Sequence, residues 1–223
     1  METYANENEM KLNYKKTKLI VFNPCKSIDF MPEMSMRDNL LEVVSEIKLL
    51  GLTIRSDLKW TANTENIIKK ANRRLWILRR LKNLGASQAD LVEVYSKQIR
   101  CVLELAVPAW HPSLTLEEKV NIERVQKSAC HIILGETYQS YTNALQYLGL
   151  TTLESRRIKL SYNFALKSEK HKKFKAWYKP AKKNMNTRLN NKYCDVKANH
   201  TRFANSPISY LTRILNMHHN LKQ

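Results

Sequence analysis

Helical spacing is clearest in the stretch Lys69-Lys70-Ala71-Asn72-Arg73-Arg74-Leu75-Trp76-Ile77-Leu78-Arg79-Arg80-Leu81-Lys82. Apolar residues recur at positions 67, 71, 75, 78 and 81, which is the period of an α-helix with one buried face. Most of the cations fall outside that apolar stripe, and the fourteen residues contain no acidic side chain. The pattern predicts an amphipathic helix whose exposed face is strongly basic.

The basic face of this helix has two interpretations. Guanidinium and ammonium groups aligned on one face suit the phosphate backbone of a nucleic acid. The alternative is an ordinary solvated helix surface, but seven cations in fourteen residues without an acid favour the first interpretation. We therefore predict nucleic-acid contacts from Lys69, Lys70, Arg73, Arg74, Arg79, Arg80 and Lys82.

Working outward, helix starts are marked by residues that resemble a capping box, in which a hydroxyl and a carboxylate satisfy free N–H groups of the first turn. They are Ser87-x-x-Asp90, Thr115-x-x-Glu118 and Thr151-x-x-Glu154. The breaks between apolar periodic runs contain Gly85, Gly135 and Gly149. We predict four main helices over residues 61–170 and a shorter one within 207–217, with a polar, weakly patterned segment over 180–206.

The N-terminal residues predict β structure instead. Residues 17–22 are β-branched and apolar, and Ile47 to Ile54 form a second strand-like run that Gly51 interrupts. A Pro-bearing, Met-rich connection lies between them over 23–39. The predicted fold class is therefore mainly α, with a small N-terminal β-hairpin-like piece, a helical bundle and a basic, partly irregular C-terminal tail.

Composition limits the function classes. The chain has 223 residues, with 38 Lys plus Arg against 20 Asp plus Glu, and a formal net charge of +18. Its four Cys form no C-x-x-C pair, which disfavours a disulfide scaffold or a zinc module. No apolar run approaches the roughly 18 residues of a membrane span, and the acidic N-terminal residues do not resemble a signal peptide. We expect an intracellular protein, cytoplasmic or nuclear, whose partner is nucleic acid first and an anionic membrane surface second.

A second basic block runs from Lys167 to Lys183, with aromatic residues among the cations. Those aromatics are Phe174, Trp177 and Tyr178. They could stack on bases, or they could pin a helix end to the core. A flexible basic linker is the other interpretation of this block.

The residues by themselves do not indicate catalysis. The five Asp, at positions 29, 38, 57, 90 and 195, include no adjacent pair, and the four Gly form no phosphate-binding loop. Cys194 with His200, or His218 with His219, is too sparse a set of ligands to predict a metal site. His111, between Trp110 and Pro112, is interpreted as a buried or hydrogen-bonded histidine because no nucleophile pattern accompanies it. We expect no catalytic residue, metal site, cofactor or small-molecule substrate in this chain.

Several segments taken in order resemble the C-terminal part of a non-LTR (LINE-type) retrotransposon reverse transcriptase, over about residues 8 to 215. The segments Lys11–Lys18 with Val21-Phe22 and Ile47–Gly51 resemble the late palm motif and the primer grip, and Asp57–Trp60 with Lys70–Leu75 resembles the thumb entry. Later matches are Val102–Ala106 with Pro108, Trp110 and His111, then Ile122–Lys127, then Leu153 with Arg156 and Arg157. Leu49 and Leu105 stand where the family usually has Tyr.

This resemblance implies three segments and a set of roles. They are a palm remnant with a primer-grip-like hairpin over 1–60, a helical thumb-like domain over 61–170 and a basic C-terminal extension over 171–223. Lys16 would face the phosphates of the incoming nucleotide, and Leu49, Leu50 and Gly51 would hold the primer 3′ end. The basic helix would lie along the template–primer duplex.

The family's catalytic aspartates, which use Mg²⁺, belong to an upstream palm, and neither of their motifs occurs in these 223 residues. The resemblance therefore implies a catalytically incomplete RNA-directed DNA polymerase fragment, without its upstream palm and fingers, that binds RNA or an RNA–DNA hybrid. The alternative is a non-enzymatic basic helical protein that uses its cations on acidic protein partners or membrane surfaces.

Overall fold

The computed structural model describes residues 2–11, 13–22, 33–36, 39–181 and 191–221. It is mainly helical, 63% helix and 9% strand with a few short strands at the N-terminus, which confirms the predicted fold class. The chain divides into two compact units, residues 1–63 and 64–223. The three-segment division at residues 60 and 170 stays a prediction.

The first unit contains short elements. They are helix α1 (Glu2–Glu7), a 3₁₀ turn (Tyr14–Lys16) and strands β1 (Lys18–Leu19), β2 (Ser35–Met36), β3 (Asn39–Leu40), β4 (Glu42–Val43), β5 (Glu46–Leu49) and β6 (Leu52–Arg55). Strand β1 pairs in parallel with β4, and β2 pairs antiparallel with β3. The 3₁₀ turn is held at its start by Asn13, whose Oδ1 accepts a hydrogen bond from the Lys16 N–H (3.3 Å).

The antiparallel hairpin of this unit is β5–β6, with Leu49 opposite Leu52. The hairpin of the expected N-terminal piece is formed by the second strand-like run alone, which folds back on itself at Leu50-Gly51, whereas β1, within the first run, pairs with β4. Both turn residues have positive φ, 47° and 89°, which is the backbone of a tight two-residue hairpin turn. Much of the predicted connection over 23–39 lies outside the described residues.

The second unit is built on helices. The described ones are α2 (Thr61–Asn83), which begins in the first unit, α3 (Gln88–Val94), α4 (Cys101–Leu103), α5 (Val107–Trp110), α6 (Leu116–Leu134), α7 (Tyr141–Tyr147), α8 (Leu153–Lys170), α9 (Thr201–Ala204) and α10 (Pro207–Asn220). A π-helical segment, Tyr95–Arg100, joins α3 to α4 into one helical run. The four long helical runs over 61–170 are the four predicted, and α10 extends the predicted helix by three residues. No helix in the described ranges is both long and apolar enough to cross a membrane.

The helix boundaries follow the predicted chemistry with one exception. Ser87 caps α3 through the Asp90 N–H, and Thr115 and Glu118 form a complete capping box at α6. The prediction for Thr151 was wrong, because the hydroxyl that accepts from the first turn of α8 belongs to Thr152 (Thr152 Oγ1 to Ser155 N, 3.1 Å). Gly85, Gly135 and Gly149 have φ of 84°, 60° and 63° at the breaks between helices.

The core of the second unit contains the segment of Trp110 and His111. Trp110 is fully buried, and its Nε1 donates to the carbonyl of Leu105 (2.8 Å), which closes a tight corner in which Ala106 has a φ of 49°. His111 is buried, as predicted, with its ring edge-on to Tyr210. A buried amide, Gln126, accepts from the Tyr95 hydroxyl (2.5 Å) and donates to the Tyr141 hydroxyl (2.8 Å). The hydrogen bonds of Gln126 connect the π-helical segment, α6 and α7 around one interior.

The second basic block packs against a smaller cluster. A 3₁₀ helix, Lys172–Trp177, follows α8, and Phe174 lies with its ring 4.7 Å from that of Trp177. Tyr178 is buried, with its hydroxyl 2.6 Å from the Ser168 hydroxyl. Of the two interpretations of these aromatics, the described contacts favour pinning the end of α8 to the core. Lys182 and Lys183 lie outside the described residues.

Candidate nucleic-acid interface

The basic residues of α2 divide into two groups according to their surroundings. The apolar stripe is buried as the period predicts, at Ile67, Ala71, Leu75 and Leu78. Five of the seven predicted contact residues are exposed: Lys69, Lys70, Arg73, Arg79 and Arg80. Burial of the stripe therefore orients these five charges toward solvent.

Arg74 and Lys82 are partly buried and have structural partners. The Arg74 guanidinium donates to the carbonyl of Gln98, and the Lys82 ammonium donates to the carbonyl of Ile132 (2.7 Å). Ile132 lies in the last turn of α6, where backbone carbonyls are free and a cation is stabilising. These two side chains fasten α2 to its neighbours, so they are less available to a ligand than the exposed five.

A groove separates α2 from α6 and has a volume of about 720 Å³. It is lined from α2 by Glu65, Ile68, Lys69, Asn72 and Arg73, and from α6 by Asn121, Arg124, Val125 and Ser128. Arg124 is exposed, and its Nη1 donates to Asn121 Oδ1 (2.8 Å), which holds the guanidinium at the rim. Cations from two helices thus face one concave surface.

A smaller groove of about 400 Å³ continues along the same two helices. It is lined by Arg79, Lys127, Ser128, His131, Ile132 and Tyr138. Ser128 lines both grooves, so they adjoin. Lys127 lies with its Nζ 5.2 Å from the centre of the Tyr141 ring, a cation–π contact that orients the ammonium. We call the two grooves together the α2–α6 groove.

The charges around the α2–α6 groove are not neutralised within the described parts of the chain. The carboxylates of the second unit that form ion pairs do so with other cations: Glu93 with Lys97, Glu104 with Arg100 and Arg156, Glu154 with Lys119, and Glu169 with Lys192. Glu65 is the one acidic residue among the side chains lining the groove. The groove therefore carries a local excess of positive charge.

The net charge of the whole chain belongs to the second unit. Residues 1–63 contain nine basic and nine acidic side chains, whereas residues 64–223 contain 29 basic and 11 acidic ones. The first unit is thus neutral overall, and the whole excess of 18 positive charges belongs to the sequence of the helical unit that contains the groove. Because the positive charge is confined to the second unit, we expect a polyanionic ligand to bind that unit and not the first.

The other predicted site residues lie in the first unit. Lys16 is exposed at the end of the 3₁₀ turn that precedes β1. Leu49, Leu50 and Gly51 form the tip of the β5–β6 hairpin, where Leu50 is 91% exposed in the left-handed backbone region. That conformation costs a residue with a Cβ roughly 1–2 kcal/mol. An exposed, strained leucine is a conspicuous surface feature of this tip.

Three described aspartates have structural roles. Asp57 accepts from the Lys59 N–H (3.0 Å), Asp90 from the Ser87 hydroxyl (2.7 Å) and Asp195 from the Asn216 amide (3.1 Å). Asp29 and Asp38 lie outside the described residues. Across the described ranges, no group of three His, Cys, Asp or Glu side chains is placed to hold a metal ion.

Arg124 and Lys127 are the functional candidates that the sequence interpretation missed. Residues 101–150 have a slightly negative net charge, which hid a basic strip on one face of α6. A signal was present in their spacing, because positions 124, 127, 128 and 131 share a helix face opposite the buried Ile122 and Ala129. Sequence alone could not show that this face lies beside α2.

Comparisons with protein-family models, with curated proteins and with solved structures found no match to this chain.

Proposed function

We propose that this chain binds RNA or an RNA–DNA hybrid by laying the phosphate backbone in the α2–α6 groove. The carrying observation is the groove itself, in which Lys69, Arg73 and Arg79 of α2 face Arg124 and Lys127 of α6. Phosphate contacts of this kind are independent of sequence and position a strand or duplex without reading its bases. The proposal places the protein in the cytoplasm or the nucleus, where RNA is present.

The resemblance to the thumb of a non-LTR reverse transcriptase supports the same ligand. By that resemblance α2 is the helix that lies along the template–primer duplex, and the exposed Leu50 belongs to the primer grip. The absence of an Asp-Asp pair from the 223 residues supports a chain that incorporates no nucleotide by itself. We therefore propose a nucleic-acid-binding polymerase fragment that is catalytically incomplete.

The test is the salt dependence of binding to a labelled RNA–DNA hybrid, followed by fluorescence anisotropy. We expect a log–log slope equivalent to roughly three or more neutralised phosphates. The double variant Arg73→Glu/Arg124→Glu should reduce that slope by about one unit for each phosphate that is no longer neutralised. The matched control is Lys159→Glu/Lys172→Glu, which changes the net charge equally at exposed positions outside the groove.

Two results would overturn the proposal. One is equal weakening by the groove and control variants, which would mean that only total charge matters. The other is displacement of the hybrid by phosphatidylserine vesicles at a lower concentration of negative charge than competing nucleic acid, which would favour a membrane surface.

Catalytic incompleteness is tested by primer extension. Primer extension with Mg²⁺ or Mn²⁺ should give no product, and extension abolished by substituting a single Asp would overturn catalytic incompleteness.

A further inference from the structure

Trp76 is a large aromatic residue at the centre of the exposed face of α2. It is 64% exposed, whereas Trp110 is fully buried and both Trp60 and Trp177 are partly buried. On a helix its nearest surface neighbours are the residues three and four positions away. These are Asn72, Arg73, Arg79 and Arg80, so three of the four positions one turn away from Trp76 are arginines and none is acidic.

The described parts of the chain do not account for this exposure. None of the described aromatic pairs or cation–π contacts includes the Trp76 ring. An indole left in water forfeits the large stabilisation that burial of an aromatic ring gives. Its neighbours Arg73 and Arg79 line the two parts of the α2–α6 groove, so Trp76 lies between two arginines of that groove in the sequence of α2.

We propose that Trp76 stacks on an unpaired base of the bound nucleic acid, so that the preferred ligand contains a single-stranded segment. This inference rests on the proposed function and names its substrate class. An aromatic platform among cations matches single strands, whose phosphates meet the arginines while their base faces remain free. Inside a duplex the base faces are covered by their neighbours, so stacking on Trp76 along the strand requires a single-stranded segment or an overhang. An apolar protein pocket is disfavoured as the occupant, because it would bury three arginines without counter-charges.

The experiment compares Trp76→Ala with the unaltered chain on three labelled ligands of equal length: a single strand, the same strand with abasic sites, and a blunt RNA–DNA hybrid. Base–aromatic stacking predicts that Trp76→Ala weakens single-strand binding by about 5- to 150-fold. The slope against salt should stay unchanged, because every phosphate contact remains in place. The affinity of Trp76→Ala for the abasic strand and for the hybrid should fall by less than about threefold. The variant Trp76→Phe should retain most of the affinity for the single strand.

Leu84→Ala is the matched control, since Leu84 is also an exposed large apolar residue and lies just beyond the end of α2. It should leave all three affinities unchanged. Equal weakening on the normal and abasic strands would overturn stacking, and so would an unchanged single-strand affinity. In either case the proposed function would still stand if binding by the unaltered chain depends on salt and Arg73→Glu/Arg124→Glu reduces that dependence. Absence of a salt slope in the unaltered chain would overturn both.

Discussion

The clearest case at the scale of single residues is His111, which is 4% exposed in the core of the second unit. Burial, and then the positive charges of Arg157 and Lys119, lower the pKa of His111 to about 4, while Glu154 opposes them. Arg157 is itself buried, and burial lowers its pKa although the charges of Glu123, Glu154 and Glu104 raise it. His111 is thus held neutral in an interior that already contains a cation.

This neutral state predicts a pH dependence of stability. The unfolded chain binds a proton on His111 near pH 6.5, but the folded chain does so only near pH 4. The contribution of His111 to the free energy of unfolding should therefore fall as pH falls from 6.5 to 4, by about 3 kcal/mol in total, and should not fall further below pH 4. Urea denaturation of the unaltered chain and of His111→Gln, at pH values across this range, measures the contribution of His111 to the free energy of unfolding.

His111→Gln should remove most of the change of unfolding free energy with pH between about pH 6.5 and about pH 4.5, where the carboxylates remain largely ionised. His131→Gln, at an exposed position, is the matched control for loss of a histidine from the chain. A His111→Gln variant that retains the whole slope would show that another group titrates.

At the scale of elements, the start of α8 is where the cap predicted from the sequence differs from the cap in the structure. Thr151 and Thr152 are adjacent, and the spacing to Glu154 favoured the first as the cap. In the structure Glu154 pairs with Lys119 (3.0 Å), which lowers the pKa of the Glu154 carboxyl, and the Thr152 hydroxyl takes the Ser155 N–H. Glu154 thus takes part in a tertiary ion pair, which a local spacing rule cannot include.

Substitution of the two threonines tests this assignment. Thr152→Ala should reduce the free energy of unfolding by about 1 kcal/mol, because a donor in the first turn of α8 is left without its acceptor. Thr151→Ala should cost less than about 0.5 kcal/mol, since only its backbone carbonyl is used, by the Gln126 amide. Thermal unfolding monitored by circular dichroism gives both values. A larger effect for Thr151→Ala would contradict the assignment.

The sequence predicted elements whose signal is local. The buried stripe of α2, the glycine breaks and the capping box of α6 depend on residues within one or two turns, and each was recoverable from spacing. The α2–α6 groove was not, because it depends on which faces of two helices lie side by side. The hairpin pairing was also missed, since Leu50 is an unusual residue for a left-handed turn position and only Gly51 signalled the reversal.

At the scale of the whole molecule, the distribution of charge has a consequence for stability. The 29 basic and 11 acidic side chains of residues 64–223 lie within one compact unit, so self-repulsion opposes its folding. The ion pairs of that unit engage only a few of these cations in the described ranges. Exposed pairs also contribute little each. Repulsion should therefore outweigh attraction at low ionic strength.

This balance predicts that salt stabilises the protein. Raising sodium chloride from about 10 mM to about 150 mM shortens the screening length from about 30 Å to about 8 Å. We expect the Tm to rise by a few degrees, where each kcal/mol corresponds to about 2–4 °C for a chain of this size. The variant Lys172→Glu/Lys173→Glu/Lys175→Glu, at exposed positions of the 3₁₀ helix, should have a higher Tm at low salt and a smaller rise. A Tm that falls with salt would mean that the ion pairs around Glu104 and Glu154 dominate the electrostatic free energy. The cationic groove would then cost the fold little, even without a polyanion bound.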